Sequence, residues 1–208
     1  MEGAVPSTGR RLLRREERQA SILRGAAAAF ARSGFAATSM DDVADACGVS
    51  RLILYRNFSS KEDLYRAVLQ RVFDRQADVF VLALQRGDGR AIGFRTLLTV
   101  AREHPDGFPL LWRHAAREPQ FAEYAHEHRG LAVDATLALL QLDADDEVLD
   151  RWIGEVVYSW VVESVLLWLE HGDPGKDEDA VDRSNAAVRA IVASLRAGAM
   201  PDGPDRQR

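Results

Sequence analysis

Apolar side chains recur at helical spacing along most of the chain, and no stretch alternates between apolar and polar residues as a strand would. After shorter helices near the N-terminus, this pattern predicts longer ones over residues 60–85, 91–103, 108–116, 120–140, 145–170 and 179–197. Clusters of glycine and proline separate them at residues 87–89, 105–107, 118–119 and 172–175. We therefore predict an all-α fold.

Residues 38–61, TSMDDVADACGVSRLILYRNFSSK, predict two short helices joined by a tight turn. Thr38 with Asp41 and Ser39 with Asp42 both have the spacing of a capping box, and Gly48 can end the first helix in the left-handed conformation. The apolar face of this helix is formed by Met40, Val43, Ala44 and Cys47. A preceding helix has apolar positions at Ile22, Leu23, Ala26, Ala27 and Phe30 and ends at Gly34. These helices predict a three-helix unit around a small core.

The second short helix follows Ser50, a residue that can cap it, and its two sides differ in chemistry. One side carries Arg51, Leu52, Tyr55 and Arg56, and the other carries Ile53, Leu54 and Phe58. A row of exposed arginines on a helix-turn-helix is typical of a helix that enters the major groove of DNA. A capping box of Ser59 and Glu62 is predicted to begin the next helix. Short capped helices occur in any all-α protein, so this pattern alone does not establish DNA binding.

The run from Ile22 to Leu69 resembles the N-terminal DNA-binding domain of the TetR family of transcriptional regulators. The resemblance rests on Phe30, Gly34, Phe35, Thr38, Ala44, Gly48, Val49, Ser50, Leu54, Tyr55, Phe58, Lys61 and Glu62. It implies an Ω-shaped homodimer that binds palindromic operators and releases them when a small molecule enters the C-terminal domain. The family often has Gly then Thr where this chain has Leu52 and Ile53, so the operator sequence cannot be carried over.

The expected organisation is a helix-turn-helix DNA-binding domain over residues 1–60, a ligand-binding and dimerisation domain over 61–198 and a disordered tail over 199–208. The predicted contacts with double-stranded operator DNA are Thr38, Ser39, Ser50, Arg51, Leu52, Tyr55, Arg56 and Lys61. Ahead of the first helix, an arm carries Arg10, Arg11, Arg14, Arg15 and Arg18. This arm either enters a minor groove or forms a solvated tail.

Charge is unevenly distributed along the chain. Residues 1–61 hold 10 Lys and Arg against 6 Asp and Glu, residues 62–208 hold 17 against 26, and the net charge is −5. Positive charge is therefore concentrated where phosphates would lie. The single cysteine excludes an internal disulfide and favours a cytoplasmic location. The N-terminus does not have the pattern of a secretory signal, and no apolar run is as long as a membrane span, so no membrane partner is expected.

The last two long helices are the expected homodimer interface. Candidate residues on the first of them are Ile153, Val157, Trp160, Val161, Ser164, Val165 and Trp168. The second contributes Val188, Ile191, Val192 and Leu195. Two helices from each subunit would bury this surface as a four-helix bundle. The alternative is that these residues pack only within one subunit.

An effector pocket is expected in the middle helices, but the sequence has few features that identify its lining residues. The candidate lining residues are Phe94, Leu97, His104, Phe108, Leu111, Trp112, Trp152 and Glu163. Each of the apolar ones is as consistent with an ordinary core. Glu163 is either a buried acid facing a ligand or part of a solvated helix edge, and the helical wheel favours the solvated edge.

An enzyme is the less favoured class. Glu123 and His126 have the spacing of a di-iron ligand pair, but the chain has no second such pair, so neither a metal nor a cofactor is expected. The sequence therefore predicts a dimeric DNA-binding regulator, a repressor released from its operator by a small apolar ligand of unknown identity. The alternatives are a regulator without a small-molecule effector and, less favoured, a helical-bundle enzyme.

Overall fold

The computed structural model describes the backbone of residues 7–87, 92–141 and 146–197, and the side chains of residues 16–87, 93–141 and 146–197. Its helices are α1 (Ser7–Ala37), α2 (Met40–Cys47), α3 (Arg51–Asn57), α4 (Lys61–Arg86), α5 (Ile92–Glu103), α6 (Gly107–Pro109), α7 (Ala122–Leu140), α8 (Glu147–His171) and α9 (Asp177–Arg196). A π-helical turn (Leu110–His114) and a 3-10 turn (Ala115–Arg117) continue α6, and a second 3-10 turn (Pro174–Lys176) precedes α9. No strand occurs in the described ranges, and the all-α prediction is confirmed. The tail predicted over residues 199–208 lies outside them.

The described residues form two compact units. The first comprises residues up to 81 together with 99–128, and the second comprises 82–98 together with residues from 129 onward. Both α4 and α5 contribute to each unit. The predicted division at residue 60 does not coincide with these units, so the assignment of functions to residues 1–60 and 61–198 stays a prediction.

In the first unit, α1 and α2 approach each other closely at Gly25. A Cβ added to Gly25 would lie 2.6 Å from the Sγ of Cys47 and 3.1 Å from its Cα. The Cys47 thiol donates a hydrogen bond of 3.3 Å to the carbonyl oxygen of Ile22. The core beneath is formed by Ile22, Ala26, Phe30, Val43 and Leu54, all at most 1% exposed. The absence of a side chain at Gly25 therefore permits the contact that positions α2.

A cluster of aromatic rings forms the other side of this core. Tyr65 of α4 lies with its ring centroid 5.0 Å from Phe30, 5.0 Å from Phe35 and 4.5 Å from Phe121. The four side chains are at most 4% exposed. Because large buried rings contribute much of a small core's apolar area, this cluster anchors α1 to the start of α4.

The corner between α1 and α2 is held by side-chain donors. Gly34 interrupts α1 with φ 77° and ψ 163°, which leaves carbonyl groups beyond it without helical partners. The hydroxyl of Thr38 donates to the Gly34 oxygen at 2.7 Å. The Lys61 ammonium donates to the carbonyl oxygens of Phe35 at 2.9 Å, Thr38 at 2.9 Å and Ala36 at 3.5 Å. Its Nζ also lies 4.3 Å from the centroid of the Phe35 ring.

We expect Lys61→Met to lower the free energy of unfolding by about 1.5–3 kcal/mol, because charge-assisted hydrogen bonds to otherwise unpaired carbonyls are lost. Urea denaturation measures this change. Lys176→Met is the matched control, because Lys176 is an exposed lysine in the 3-10 turn before α9. Equal stability of the two variants would contradict a structural role for Lys61.

The second unit contains α8, α9 and the part of α7 from residue 129 onward. Gly154 of α8 is buried, and a Cβ there would meet Leu137 of α7 at 2.7 Å. Arg129 of α7 donates to Glu155 at 2.8 Å and to Ser159 at 2.6 Å. The small residue and the polar contacts together hold α7 and α8 side by side.

Part of the predicted dimer interface is core instead. Ile153, Val157, Val161 and Val165 are at most 5% exposed within the single chain. They are therefore not available to pack against a second subunit, because other residues of the same chain already cover them. Half-buried positions remain at Trp160, Ser164, Trp168, Val188, Ile191, Val192 and Leu195. The apolar width of α8 therefore reflects packing inside the subunit.

One described helix, α8, is long and apolar enough to cross a membrane by length and composition. This departs from the expectation that no segment meets that criterion. The observation is weak evidence for a membrane span, because 44% of the apolar window is buried inside the structure, as in a core helix.

Candidate nucleic-acid interface

Local interactions fix both ends of α2, with hydrogen bonds at its start and a left-handed glycine at its end. The Ser39 Oγ accepts from the Asp42 N–H at 3.1 Å, and the Ser39 N–H donates to Asp42 Oδ2 at 2.8 Å, which completes the predicted capping box. The hydrogen bonds from Ser39 lower the pKa of Asp42. The box is therefore fully formed above the ordinary carboxyl pKa and is lost as pH falls through the lowered value. Gly48 ends α2 with φ 64° and ψ 33°.

Helix α3 has one buried side and one exposed side. Leu54 is fully buried and Phe58, which follows the helix, is 4% exposed. On the opposite side Leu52 is 62% exposed and Tyr55 is 44% exposed. Arg51 and Arg56 are exposed as well. Two buried side chains thus fix the helix while four neighbouring side chains face outward.

Arg51 is held by two exposed neighbours. Its guanidinium donates to Asp41 Oδ2 of α2 at 2.9 Å and to the Tyr55 hydroxyl at 3.4 Å. Both contacts favour the protonated guanidinium, and the Tyr55 hydrogen bond is the larger cause of its raised pKa. The pairing with Asp41 was not predicted, because residues ten apart in different helices follow no sequence pattern. Arg51 is therefore preoriented at the N-terminal end of α3.

Several predicted contacts are placed differently. Thr38 is 2% exposed and its hydroxyl is used within the corner, so its side chain is poorly placed for the predicted contact with DNA. Lys61 is half-buried and its ammonium is occupied by three carbonyl oxygens, which leaves it poorly placed for a phosphate. Ser50 is exposed at the N-cap of α3, but its side chain does not cap the helix. The contacts predicted between Ser59 and Glu62 are replaced: Asp63 Oδ2 accepts from the Ser59 N–H and hydroxyl, and the Ser60 Oγ accepts from the Asp63 N–H.

The basic arm is also different from the prediction. The backbone is helical from Ser7, so residues 10–15 belong to α1 rather than to a segment ahead of it. The side chains of the four arginines in that stretch lie outside the described residues. Arg18 is exposed on α1.

The predicted pocket residues divide between the two units. Phe94 and Leu97, each 4% exposed, belong to the second unit, and so do Trp152 and Glu163. Trp152 is 50% exposed and Glu163 is exposed, which contradicts their placement in a closed pocket wall. His104, Phe108, Leu111 and Trp112 belong to the first unit, where Phe108 and Leu111 are core and His104 and Trp112 are half-buried.

The candidate di-iron pair has no supporting geometry. Glu123 and His126 are exposed, and the neighbouring His128 places its Nδ1 2.8 Å from the carbonyl oxygen of Tyr124. Among the described residues, no group of three or more His, Cys, Asp and Glu side chains could hold a metal ion.

Comparison with known proteins bears directly on this helix-turn-helix. A family model for "Bacterial regulatory proteins, tetR family" matches residues 22–68, the stretch that contains α2 and α3. Over 176 residues the chain is 30% identical to the HTH-type transcriptional activator FasR of Mycolicibacterium smegmatis, covering 82% of this chain and 80% of that protein. The chain belongs to the tetR family.

Solved structures of tetR-family regulators have the same fold. A TetR-like transcriptional regulator from Rhodococcus sp. RHA1 matches with a TM-score of 0.70 at 22% identity, over 88% of this chain and 97% of that one. AibR, solved in complex with isovaleryl coenzyme A and operator DNA, matches with a TM-score of 0.63 at 20% identity, over 82% and 97%. The relatives are transcriptional regulators, which confirms that this chain is a DNA-binding transcriptional regulator and not an enzyme.

Proposed function

We propose that the chain acts in the bacterial cytoplasm as a homodimer that places α3 of each subunit in the major groove of a palindromic operator. The exposed row of Arg51, Leu52, Tyr55 and Arg56 opposite the buried Leu54 carries this proposal. Because α3 is held in place by its buried side and exposes arginine and tyrosine on the other, it can enter a DNA groove without rearrangement of the protein core. Guanidinium groups suit both base edges and phosphates, so the row can supply specificity and affinity together.

Arg51 and Arg56 have different positions along α3 and are proposed to have different roles. Arg51 lies in the first turn, where recognition helices contact base edges, and Arg56 lies in the last turn. Arg51 exchanges its contact with Asp41 for a base when DNA binds. Because the Arg51–Asp41 pair is exposed, breaking it costs little. Ser39 and Ser50, exposed at the starts of α2 and α3, are proposed to contact phosphates.

The dimer interface is proposed on the outer side of α8 rather than on its buried face. Trp152 and Leu167, 50% and 47% exposed, share that side with the half-buried Val156 and Trp160. On α9 the half-buried residues Val188, Ile191, Val192 and Leu195 continue an apolar surface within the same unit. An exposed apolar stripe of this kind is stabilised when a second copy covers it.

Whether the chain represses or activates transcription, and what kind of ligand controls it, are proposed from its family. Release from the operator by a small apolar ligand would make the chain a repressor. Activation is the second candidate, because the relative FasR, which the chain matches over most of its length, is named an activator. Operator position separates the two: a site overlapping a promoter supports repression, and one upstream of it with increased transcription supports activation. A regulator without an effector remains the alternative if no apolar compound changes DNA binding.

Selection of bound fragments from the genome of the source organism tests the proposal. We expect the wild-type chain to enrich a palindromic motif whose half-sites lie about 34–36 Å apart or a multiple of that distance. The double variant Arg51→Ala/Arg56→Ala provides the background, because both side chains are exposed and their removal leaves the core intact. Identical fragment pools from the two proteins would contradict a role for α3 in recognition.

A further inference from the structure

A cleft that shares only His104 with the predicted effector pocket lies within the first unit, between α1, α4 and the connection from α5 to α6. Its volume is about 130 Å³. The connection packs tightly against α4, since a Cβ added to Gly107 would lie 2.8 Å from a methyl carbon of Val72. Pockets for drug-sized ligands are about 300–1,000 Å³, so this cleft is suited to a smaller molecule.

The lining of the cleft combines an apolar floor with cationic groups. Leu23, Ala27, Val68 and Val72 supply the aliphatic surface from α1 and α4. Arg24 of α1 and Arg71 of α4 supply two guanidinium groups, and His104 lies beside them. An apolar surface next to fixed positive charge is complementary to a small amphipathic anion.

Arg71, which lines this cleft, has a hydrogen-bond donor that no acceptor in the described residues satisfies. Its Nε is buried, and among the described residues no acceptor hydrogen-bonds to it. Burial lowers the pKa of the Arg71 guanidinium, and the nearby Arg24 lowers it further. A buried donor without a partner is destabilising, and so is a second cation close by. The Nε has essentially no exposure, so a carboxylate in the cleft would pair with the terminal nitrogens of this half-buried side chain and offset the repulsion between Arg71 and Arg24.

The acidic side chains that line the cleft do not neutralise the positive charge of its arginines. Glu103 is engaged by Arg75, whose two nitrogens lie 2.6 and 2.9 Å from its carboxylate oxygens. Asp106 is exposed at the rim. Burial, and after it the charge of Arg71, lowers the pKa of His104, so this ring is neutral at pH 7 and can donate one N–H. The uncompensated charge is positive at Arg24 and Arg71.

We propose that this cleft binds a short-chain aliphatic carboxylate, with the carboxylate on Arg71 and the tail on the floor formed by Leu23, Ala27, Val68 and Val72. The occupant would contact α1 and α4 simultaneously. Of the residues predicted to line the effector pocket, only His104 lines this site, and its existence does not depend on the proposed operator.

Isothermal titration of the full chain with butyrate at constant ionic strength tests the proposal without DNA. We expect saturable binding with a dissociation constant of about 1 mM or tighter. Arg71→Gln should weaken it at least tenfold, because the bidentate partner is lost. Arg86→Gln, an exposed arginine in the last turn of the same helix, should bind butyrate as the wild type does.

Two further probes act on the unaltered protein and so do not depend on the folding of a variant. n-Butanol has the tail without the charge, and butylammonium has the opposite charge, so neither should bind saturably. Equal butyrate affinity of the wild type and Arg71→Gln, or butyrate binding no tighter than chloride, would overturn the proposal. Tighter binding of inorganic phosphate than of butyrate would also overturn it, since the apolar floor would then have no role. If the chain binds butyrate but enriches no DNA motif in the fragment selection, the proposed function is refuted and the proposed carboxylate site is still supported.

Discussion

Val165→Asp is expected to unfold the chain, whereas Leu167→Asp is expected to leave a folded monomer. The two positions are two residues apart on α8, but Val165 is fully buried and Leu167 is 47% exposed. An uncompensated charge at Val165 costs about 3–5 kcal/mol, a large part of the stability of a typical domain. The same charge at Leu167 stays in contact with water in the subunit and is buried only when a second subunit covers the stripe.

The expected loss of dimer affinity for Leu167→Asp is large because twofold symmetry places the substitution twice in the interface. If each copy of the substitution costs about 2 kcal/mol of association free energy, the dissociation constant of the dimer rises about a thousandfold. Sedimentation equilibrium measures the association, and circular dichroism measures folding. Ala138→Asp on the exposed side of α7 is the control and should remain dimeric. A folded Val165→Asp protein, or a dimeric Leu167→Asp protein, would show that the two faces of α8 are wrongly assigned.

Arg51→Ala and Arg56→Ala are expected to weaken operator binding in different ways. Loss of an arginine contact with a guanine edge at Arg51 costs about 1–3 kcal/mol and relaxes specificity at one base pair. Loss of a phosphate contact at Arg56 weakens binding to operator and random duplex alike and lowers the salt slope by about one. Fluorescence anisotropy over a range of salt concentrations measures both quantities.

Arg117→Ala is the control for these two variants, because Arg117 is exposed in a 3-10 turn outside the helix-turn-helix. It should bind operator with wild-type affinity. Wild-type affinity for Arg51→Ala and for Arg56→Ala would remove both side chains from the interface. An equal loss of specificity in the two variants would contradict the separate roles proposed for them.

Local patterns predicted much of the fold from sequence. The capping box at Ser39 and the left-handed end of α2 at Gly48 form as predicted, because both depend on residues within one helical turn of each other. The sides of α3 follow from its spacing, with Leu54 buried and Tyr55 exposed. Five of the six longer helices begin and end within two residues of the predicted positions. The helix predicted over 108–116 is instead the short α6, which ends at Pro109, followed by the π-helical and 3-10 turns.

Contacts between distant residues could not be predicted in this way. Lys61 caps the corner at Phe35 and Thr38, 26 and 23 residues away, and nothing near Lys61 distinguishes this role from phosphate binding. Likewise, periodicity identifies the apolar residues of α8 but does not say which of them a neighbouring helix covers. The burial of Val165 is therefore seen only in the folded structure.

The most direct test of the account is the affinity of the wild-type chain for its selected operator compared with a scrambled duplex of equal length. Both are measured at one physiological salt concentration, because the electrostatic contribution from phosphates is common to them. A sequence-specific regulator that reads bases through α3 should bind the operator at least about a thousandfold more tightly. Affinities within tenfold of each other would contradict sequence-specific recognition by this chain.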